Sequence, residues 1–365
     1  MKNEQEALGD PIKIGVLLDM PRACSDQAEG IYNLVAEQYV AKKRFERGFE
    51  FVRADPCGPP AGSIHATIEA FHELCDKDCL AVIGCSHSGS CIAIPAHADA
   101  RKVPLISLGA TARGMSDWTF SVCRSSVSHN AYAMASWLKQ QGHKRIAVTW
   151  DRADDTPEYL LHFRNAVERA GLQILLDVRL PQLVGPELSG IFEAIFAQFW
   201  TLKPDALAHF GTGRIADHWA NFVNDSGWTA PRIMGDAASP ERVSWPEGWV
   251  GVTTWDDDNK VASKVYDDYR VRYPDAEAPK RELIAVCRDG LTALIEGIIQ
   301  APILTRDGIR RGLELVQMLP AASGGPRTCL GFSPHNHRGL QGPDVMVLRR
   351  MQDGQPVMEG RIQLF

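Results

Sequence analysis

Ser86, His87, Ser88 and Ser90 surround Gly89 within five residues, directly after an apolar run at 80–83. Hydroxyls and free backbone N–H groups at a strand-to-helix turn suit a carboxylate or another acceptor-rich group, because the helix dipole favours negative charge there. The same residues serve equally as helix N-caps. Gly109-Ala110-Thr111 forms a second small polar turn twenty residues on. Further along, Trp150, Asp155, Phe210 and Asp236 stand just after apolar runs, where a binding edge would use them. Phe210-Gly211-Thr212-Gly213 lacks the lysine and length of a phosphate loop.

Catalytic readings of these residues fail on spacing. Gly84-Cys85-Ser86-His87-Ser88-Gly89 resembles a nucleophile elbow, but G-x-S-x-G requires glycine at position 88. Cys85 or Ser86 with His87 is a poor nucleophile and base pair, since adjacent side chains seldom face each other. His335-Asn336-His337 lies in a Pro/Gly-rich segment without metal-binding surroundings. No complete set of nucleophile, base and orienter exists, so no enzyme and no cofactor are expected. Cys75 and Cys79 lack a second pair at zinc-site spacing, so no metal is expected either.

The elements that would position these residues alternate. Strands are expected at 12–18, 49–54, 80–83 and 104–107. A loop over 20–26 and helices at 28–47 and 64–74 come between them, the latter capped by Ser63. In an open parallel sheet the turns at 84–90 and 109–111 both fall on the carboxyl edge, where α/β proteins hold ligands. The rhythm restarts near 125, with strands at 145–149, 173–178, 206–210, 232–234 and 251–254 among helices at 130–140, 157–170, 188–201 and 215–225. Helices at 262–273, 282–300 and 306–315 follow, and a hairpin of 345–350 and 357–362 turns at Asp353-Gly354. The fold class is α/β, with doubly wound parallel sheets.

A length of 365 residues implies two domains of about 150 to 200 residues. A net charge of -6 without a basic stripe argues against a nucleic-acid partner. No apolar run approaches the ~18 residues of a membrane span, and the polar start, MKNEQEALGD, has no signal-peptide core. Nine cysteines are an odd number, so they cannot all pair; buried free thiols are the simpler expectation.

Six segments in order resemble one family: Ile12-Lys-Ile-Gly-Val-Leu, Ala54-Asp55-Pro-Cys57, Val82-Ile83-Gly84, Pro104-Leu-Ile-Ser107-Leu-Gly-Ala110-Thr111, Phe120-x-x-x-Arg124 and Phe332-Ser-Pro-His-Asn-His337-Arg-Gly339. The chain resembles the type I periplasmic binding proteins of the branched-chain amino-acid and amide-binding type, the solute-binding subunits of ABC importers. The resemblance implies two lobes joined by three crossover strands, 1–122 with 256–328 and 123–255 with 329–365, closing on a ligand in the cleft. It implies that Ser88, Ala110 and Thr111 hold a carboxylate and that Asp236 meets an ammonium group. Ser86 and His87 are candidates beside them; Asp155 and Thr156 stand at the place of the family's usual Tyr-Gly, with Trp150 as the replacement for its aromatic contact. An amino acid, an amide or an aromatic or aliphatic acid is the implied solute, and the importer's membrane subunits are the implied partners. The location is periplasmic if a signal peptide has been removed. The alternative is a cytoplasmic ligand sensor of the same fold that regulates a partner protein.

Overall fold

A computed structural model of the chain describes residues 10–42, 47–56, 62–123, 126–151, 154–181, 187–211, 214–235 and 245–362. In chain order the elements are β1 (Ile12–Leu17), α1 (Arg22–Ala41), β2 (Phe49–Ala54), α2 (Ile64–Asp76), β3 (Ala81–Gly84), α3 (Ser88–Arg101), β4 (Leu105–Ser107), a 3-10 turn (Ala112–Gly114) and β5 (Thr119–Ser121). There follow α4 (Val127–Gln140), β6 (Arg145–Trp150), α5 (Thr156–Ala170), β7 (Gln173–Arg179), α6 (Leu188–Leu202), β8 (Ala206–Phe210), α7 (Arg214–Asp225), β9 (Arg232–Met234) and β10 (Val250–Thr253). The rest comprises α8 (Lys260–Arg272), α9 (Arg281–Gln300), α10 (Arg306–Glu314), β11 (Leu319–Pro320), β12 (Cys329–Leu330), β13 (Leu340–Gln341), β14 (Met346–Gln352) and β15 (Gln355–Ile362).

Two compact units result: Met1–Arg124 with Asp257–Gly342, and Ser125–Asp256 with Pro343–Phe365. The first is built on a parallel sheet in the order β2-β1-β3-β4-β5. Its inner strands β1, β3 and β4 are short and almost wholly buried, as strands covered on both faces must be, while the edge strand β2 is only partly buried. Leu17, Phe71, Leu74, Val82, Ile94 and Leu105 form a core on this sheet. The second unit has a sheet in the order β15-β14-β10-β9-β8-β6-β7, parallel from β10 to β7 and closed by the antiparallel β14–β15 hairpin. Its core is strongly aromatic, with Phe192, Phe196 and Phe199 of α6 against Trp219, Trp228 and Trp249. Among the described residues no helix is long and apolar enough to cross a membrane.

Two expectations need correction. The segment from 22 on is helix rather than loop: α1 starts at Arg22 behind Pro21, and its first turns bury Cys24, Ser25 and Ala28. Residues 329–342 belong with the first unit rather than the second. Strand β12 pairs with β11 and β13, and Ser121 N–H donates to the His337 carbonyl at 2.8 Å. The His337 ring stacks on Phe120 at 3.9 Å and bonds the Ser116 carbonyl through Nδ1. His337 is therefore a packing residue.

Eight cysteines, Cys24, Cys75, Cys79, Cys85, Cys91, Cys123, Cys287 and Cys329, are free thiols; Cys57 lies outside the described residues. Burial, reinforced by the neighbouring Cys75, pushes the Cys79 thiol up from 9.0 to about 11. The folded state thus keeps a proton that the unfolded chain releases near pH 9, so this contribution is complete below pH 9 and is lost as pH rises toward 11. Urea unfolding at pH 8 and at pH 11 should differ by on the order of 2 kcal/mol more in the native protein than in Cys79→Ala; equal pH slopes would show that Cys79 does not carry the effect.

Candidate functional site

The carboxyl edge of the first unit gathers three strand ends. The chain leaves β1 through Leu18 and Asp19, β3 through Cys85, and β4 through Leu108. Cys85 N–H donates to the Leu17 carbonyl at 3.1 Å and Leu108 N–H to the Cys85 carbonyl at 3.0 Å, which sews the three ends together. Gly84 makes the exit from β3 possible: at φ 136°, a Cβ there would lie 2.0 Å from the Leu17 carbonyl oxygen. No other residue fits such an approach.

The turn then enters α3 at Ser88. His87 is the N-cap: its Nδ1 accepts from Gly89 N–H at 3.2 Å. The cap is therefore a histidine, not one of the serines the sequence offered. Ser86, His87 and Ser88 are half-buried, and Ser90 is fully buried. In the neighbouring turn, Thr111 is buried and its Oγ1 accepts from Arg113 N–H at 3.1 Å, while Ala110 is half-buried. The structure thus brings Ser86, His87, Ser88, Ala110 and Thr111 to one edge.

Asp19 also belongs to this edge, a residue not among the sequence candidates. Its carboxylate accepts from Ser86 N–H at 2.6 Å, Ser86 Oγ at 3.1 Å and His87 N–H at 3.3 Å. The Ser86 and His87 amides are therefore already taken by a carboxyl group of the protein itself. Burial pushes the Asp19 carboxyl above its ordinary value, against the pull of the hydrogen bonds from the Ser86 and His87 amides. The signal was an acidic residue closing an apolar strand, Leu17-Leu18-Asp19, at the sheet edge used by the serine turn.

The second unit has its own carboxyl edge. Asp151 follows β6 and is buried, and its N–H donates to the Phe210 carbonyl at 3.0 Å. Gly211 follows β8 at φ 154°; a Cβ there would lie 2.4 Å from the Asp151 carboxylate. Gly235 follows β9 beside the Tyr159 ring, whose hydroxyl accepts from Asn130 Nδ2 at 2.6 Å. Asp155 is half-buried immediately before α5, and its carbonyl accepts from Tyr159 N–H.

Trp150 and Phe210 are committed elsewhere. Trp150 Nε1 donates to Asp177 at 2.8 Å, and Asp177 in turn pairs with Arg164 of α5. Phe210 is buried with its ring 4.9 Å from Phe163 and 5.4 Å from Tyr159, both on α5. Asp236 lies outside the described residues. Among the described residues no three His, Cys, Asp or Glu side chains cluster closely enough to hold a metal ion.

Comparison with known proteins agrees with this architecture. The fold is similar to that of a leucine binding protein from Thermotoga maritima, with a TM-score of 0.78 at 20% identity over 96% of this chain and 99% of that one. An ABC transporter substrate-binding protein from Desulfitobacterium hafniense, in complex with leucine, matches with a TM-score of 0.77 at 16% identity over 96% and 100%. A solute binding protein from R. palustris in complex with benzoate matches with a TM-score of 0.71 at 17% identity over 96% of each chain. No curated protein matches the sequence. A family model described as periplasmic binding protein matches residues 11–355, nearly the whole of the type I α/β architecture, and the chain belongs to that family.

Proposed function

We propose that this protein binds one small organic solute, an amino acid, an amide or an aromatic or aliphatic acid, and presents it to the membrane subunits of an ABC importer. The observation that carries this reading is the meeting of the 86–90 and 109–111 turns at one sheet edge of a periplasmic binding protein. Similar folds hold leucine in one case and benzoate in another, and the shared chemistry of those ligands is a carboxylate. Asp19 accepts from the Ser86 and His87 amides, and the residues proposed to hold the solute's carboxylate are Ser88, Ala110 and Thr111. The work is binding rather than turnover, and its physical content is a differential affinity for the liganded state.

A thermal-shift screen against amino acids, amides and aromatic acids tests the reading. Saturation at a hundredfold excess over Kd adds about 2.7 kcal/mol of stability, a readable shift in midpoint. A flat response across all three classes would remove the proposed ligand class. For a compound that does shift it, Ser88→Ala should weaken binding by about tenfold, one hydrogen bond's worth, with little loss of stability. Unchanged affinity with a large stability loss would make Ser88 a helix residue only.

The second reading, a cytoplasmic sensor of the same fold, is favoured by the eight described free thiols, which are commoner in reducing compartments. The start of the full-length gene separates the two: an upstream signal sequence supports the importer subunit and excludes the sensor.

A further inference from the structure

Cys85 leaves β3 and Cys91 sits in the first turn of α3, so the five residues between them are the 86–90 turn itself. Their sulfurs lie 3.4 Å apart, and both residues are buried, at 0% and 1% exposure. Cys91 Sγ also lies 3.2 Å from the Cys85 carbonyl oxygen. The pair is in direct contact, and a shift of a little over 1 Å brings it to the disulfide bond length of about 2.05 Å. Cys91 touches the second turn as well: a Cβ at Gly109 would lie 2.3 Å from its sulfur. The dithiol is wedged where the two turns meet.

We infer that Cys85 and Cys91 are a disulfide-forming pair that closes during folding in an oxidising compartment and fixes the 86–90 turn against Gly109. The oxidant is a disulfide, either of a thiol–disulfide oxidoreductase or of oxidised glutathione. One cysteine thiolate attacks it, giving a mixed disulfide and releasing one thiol. The second thiolate attacks the first cysteine's sulfur in that mixed disulfide, forming the Cys85–Cys91 bond and expelling the oxidant's remaining half as a thiol. Two protons and two electrons leave the pair and reduce one oxidant disulfide to two thiols. The contact with Cys91 and burial push the Cys85 thiol well above its ordinary value in the folded chain, which disfavours the attacking thiolate, so the exchange takes place while the turn is still open.

The test is oxidative refolding of the full chain. The protein is unfolded in urea with reductant, refolded in buffers of graded oxidised and reduced glutathione, quenched with acid, alkylated in urea so that buried thiols react, and digested with trypsin. The peptide 78–101 carries Cys79, Cys85 and Cys91. It is expected to be lighter by two hydrogens and to carry one alkyl group, on Cys79. In Cys85→Ser and in Cys91→Ser the crosslink should vanish and every remaining thiol of the peptide should be alkylated. Full alkylation at every glutathione ratio overturns the inference, as does a crosslink that includes Cys79 or survives in either variant. An effect on affinity rests on the 86–90 turn being the solute anchor: calorimetry with a ligand from the thermal-shift screen should give several-fold tighter binding in the crosslinked form. Equal affinity in a chain shown to be crosslinked overturns the fixing of the turn, while Ser88→Ala remains the separate test of the anchor.

Discussion

Asp19→Ala is expected to lower the unfolding free energy by about 3 kcal/mol and to abolish solute binding. The carboxylate is 3% exposed and satisfies two backbone amides and the Ser86 hydroxyl at the turn. Each buried donor left without an acceptor costs about 1–3 kcal/mol, and alanine leaves the Ser86 and His87 amides in that state. Asp19→Asn should fall between the two, because its amide oxygen can replace one acceptor while its NH2 faces the other donor. Urea unfolding reads the first effect and calorimetry the second; wild-type stability in the alanine variant would mean that the turn is held by other contacts. The pH dependence has a definite sign. A carboxyl raised above 3.8 in the folded state binds its proton more readily there than in the unfolded chain. Its contribution to stability therefore grows as pH falls through the raised value toward 3.8 and diminishes as pH rises. Asp19→Asn should flatten that part of the acid limb.

Asp289→Ala should cost a similar amount, about 3 kcal/mol, at a place far from the serine turn in sequence. Asp289 of α9 is fully buried and accepts from Ala322 N–H and Ser323 N–H, each at 2.7 Å, while Arg288 pairs with it at 2.8 Å. The same segment is gripped by Asn259, whose Nδ2 donates to the carbonyls of Ala321, Ala322 and Gly324. Asn259 Oδ1 also caps α8 by accepting from Val261 N–H and Ala262 N–H. Two side chains thus hold residues 321–324, one by their amides and one by their carbonyls. Truncating Asp289 strands two buried amides, while Arg288 keeps its bond to the Pro320 carbonyl. Because both clamps act on one segment, Asn259→Ala with Asp289→Ala should destabilise by less than the sum of the single changes, measured by a double-mutant cycle. Strict additivity would show that each clamp holds its own piece of chain.

The β-α order was legible because its signals are strong: short apolar strands such as Ile12–Leu17, a capped helix such as Ile64–Asp76 behind Ser63, and turns rich in serine and glycine. Arg22–Ala41 was harder, because its buried first turns are made of Cys24, Ser25 and Ala28, which carry little apolar periodicity. Strands of two residues, as at Cys329–Leu330 and Leu340–Gln341, have no period to detect, which hid the attachment of 329–342 to the first unit. Of the candidate residues, the serine turn and Ala110-Thr111 announced themselves by composition. Trp150 and Phe210 did not reveal their directions, since a strand-end residue can face either side of its sheet and both here turn to partners associated with α5. Asp19 was visible only once the turns on either side of it were known to share an edge.

The aromatic core of the second unit makes the two units separately observable. Of the nine tryptophans, only Trp118 lies in the first unit. Excitation at the red edge of the aromatic band therefore reports almost entirely on the second unit, where Trp219 and Trp249 are fully buried and should red-shift on exposure. The first unit holds Tyr32, Tyr39, Tyr266, Tyr269 and Tyr273, whereas the second has Tyr132 and Tyr159. Near-ultraviolet dichroism in the tyrosine band can then follow the serine-turn unit while emission follows the other, and one unlabelled sample distinguishes unfolding in a single step from unfolding in two.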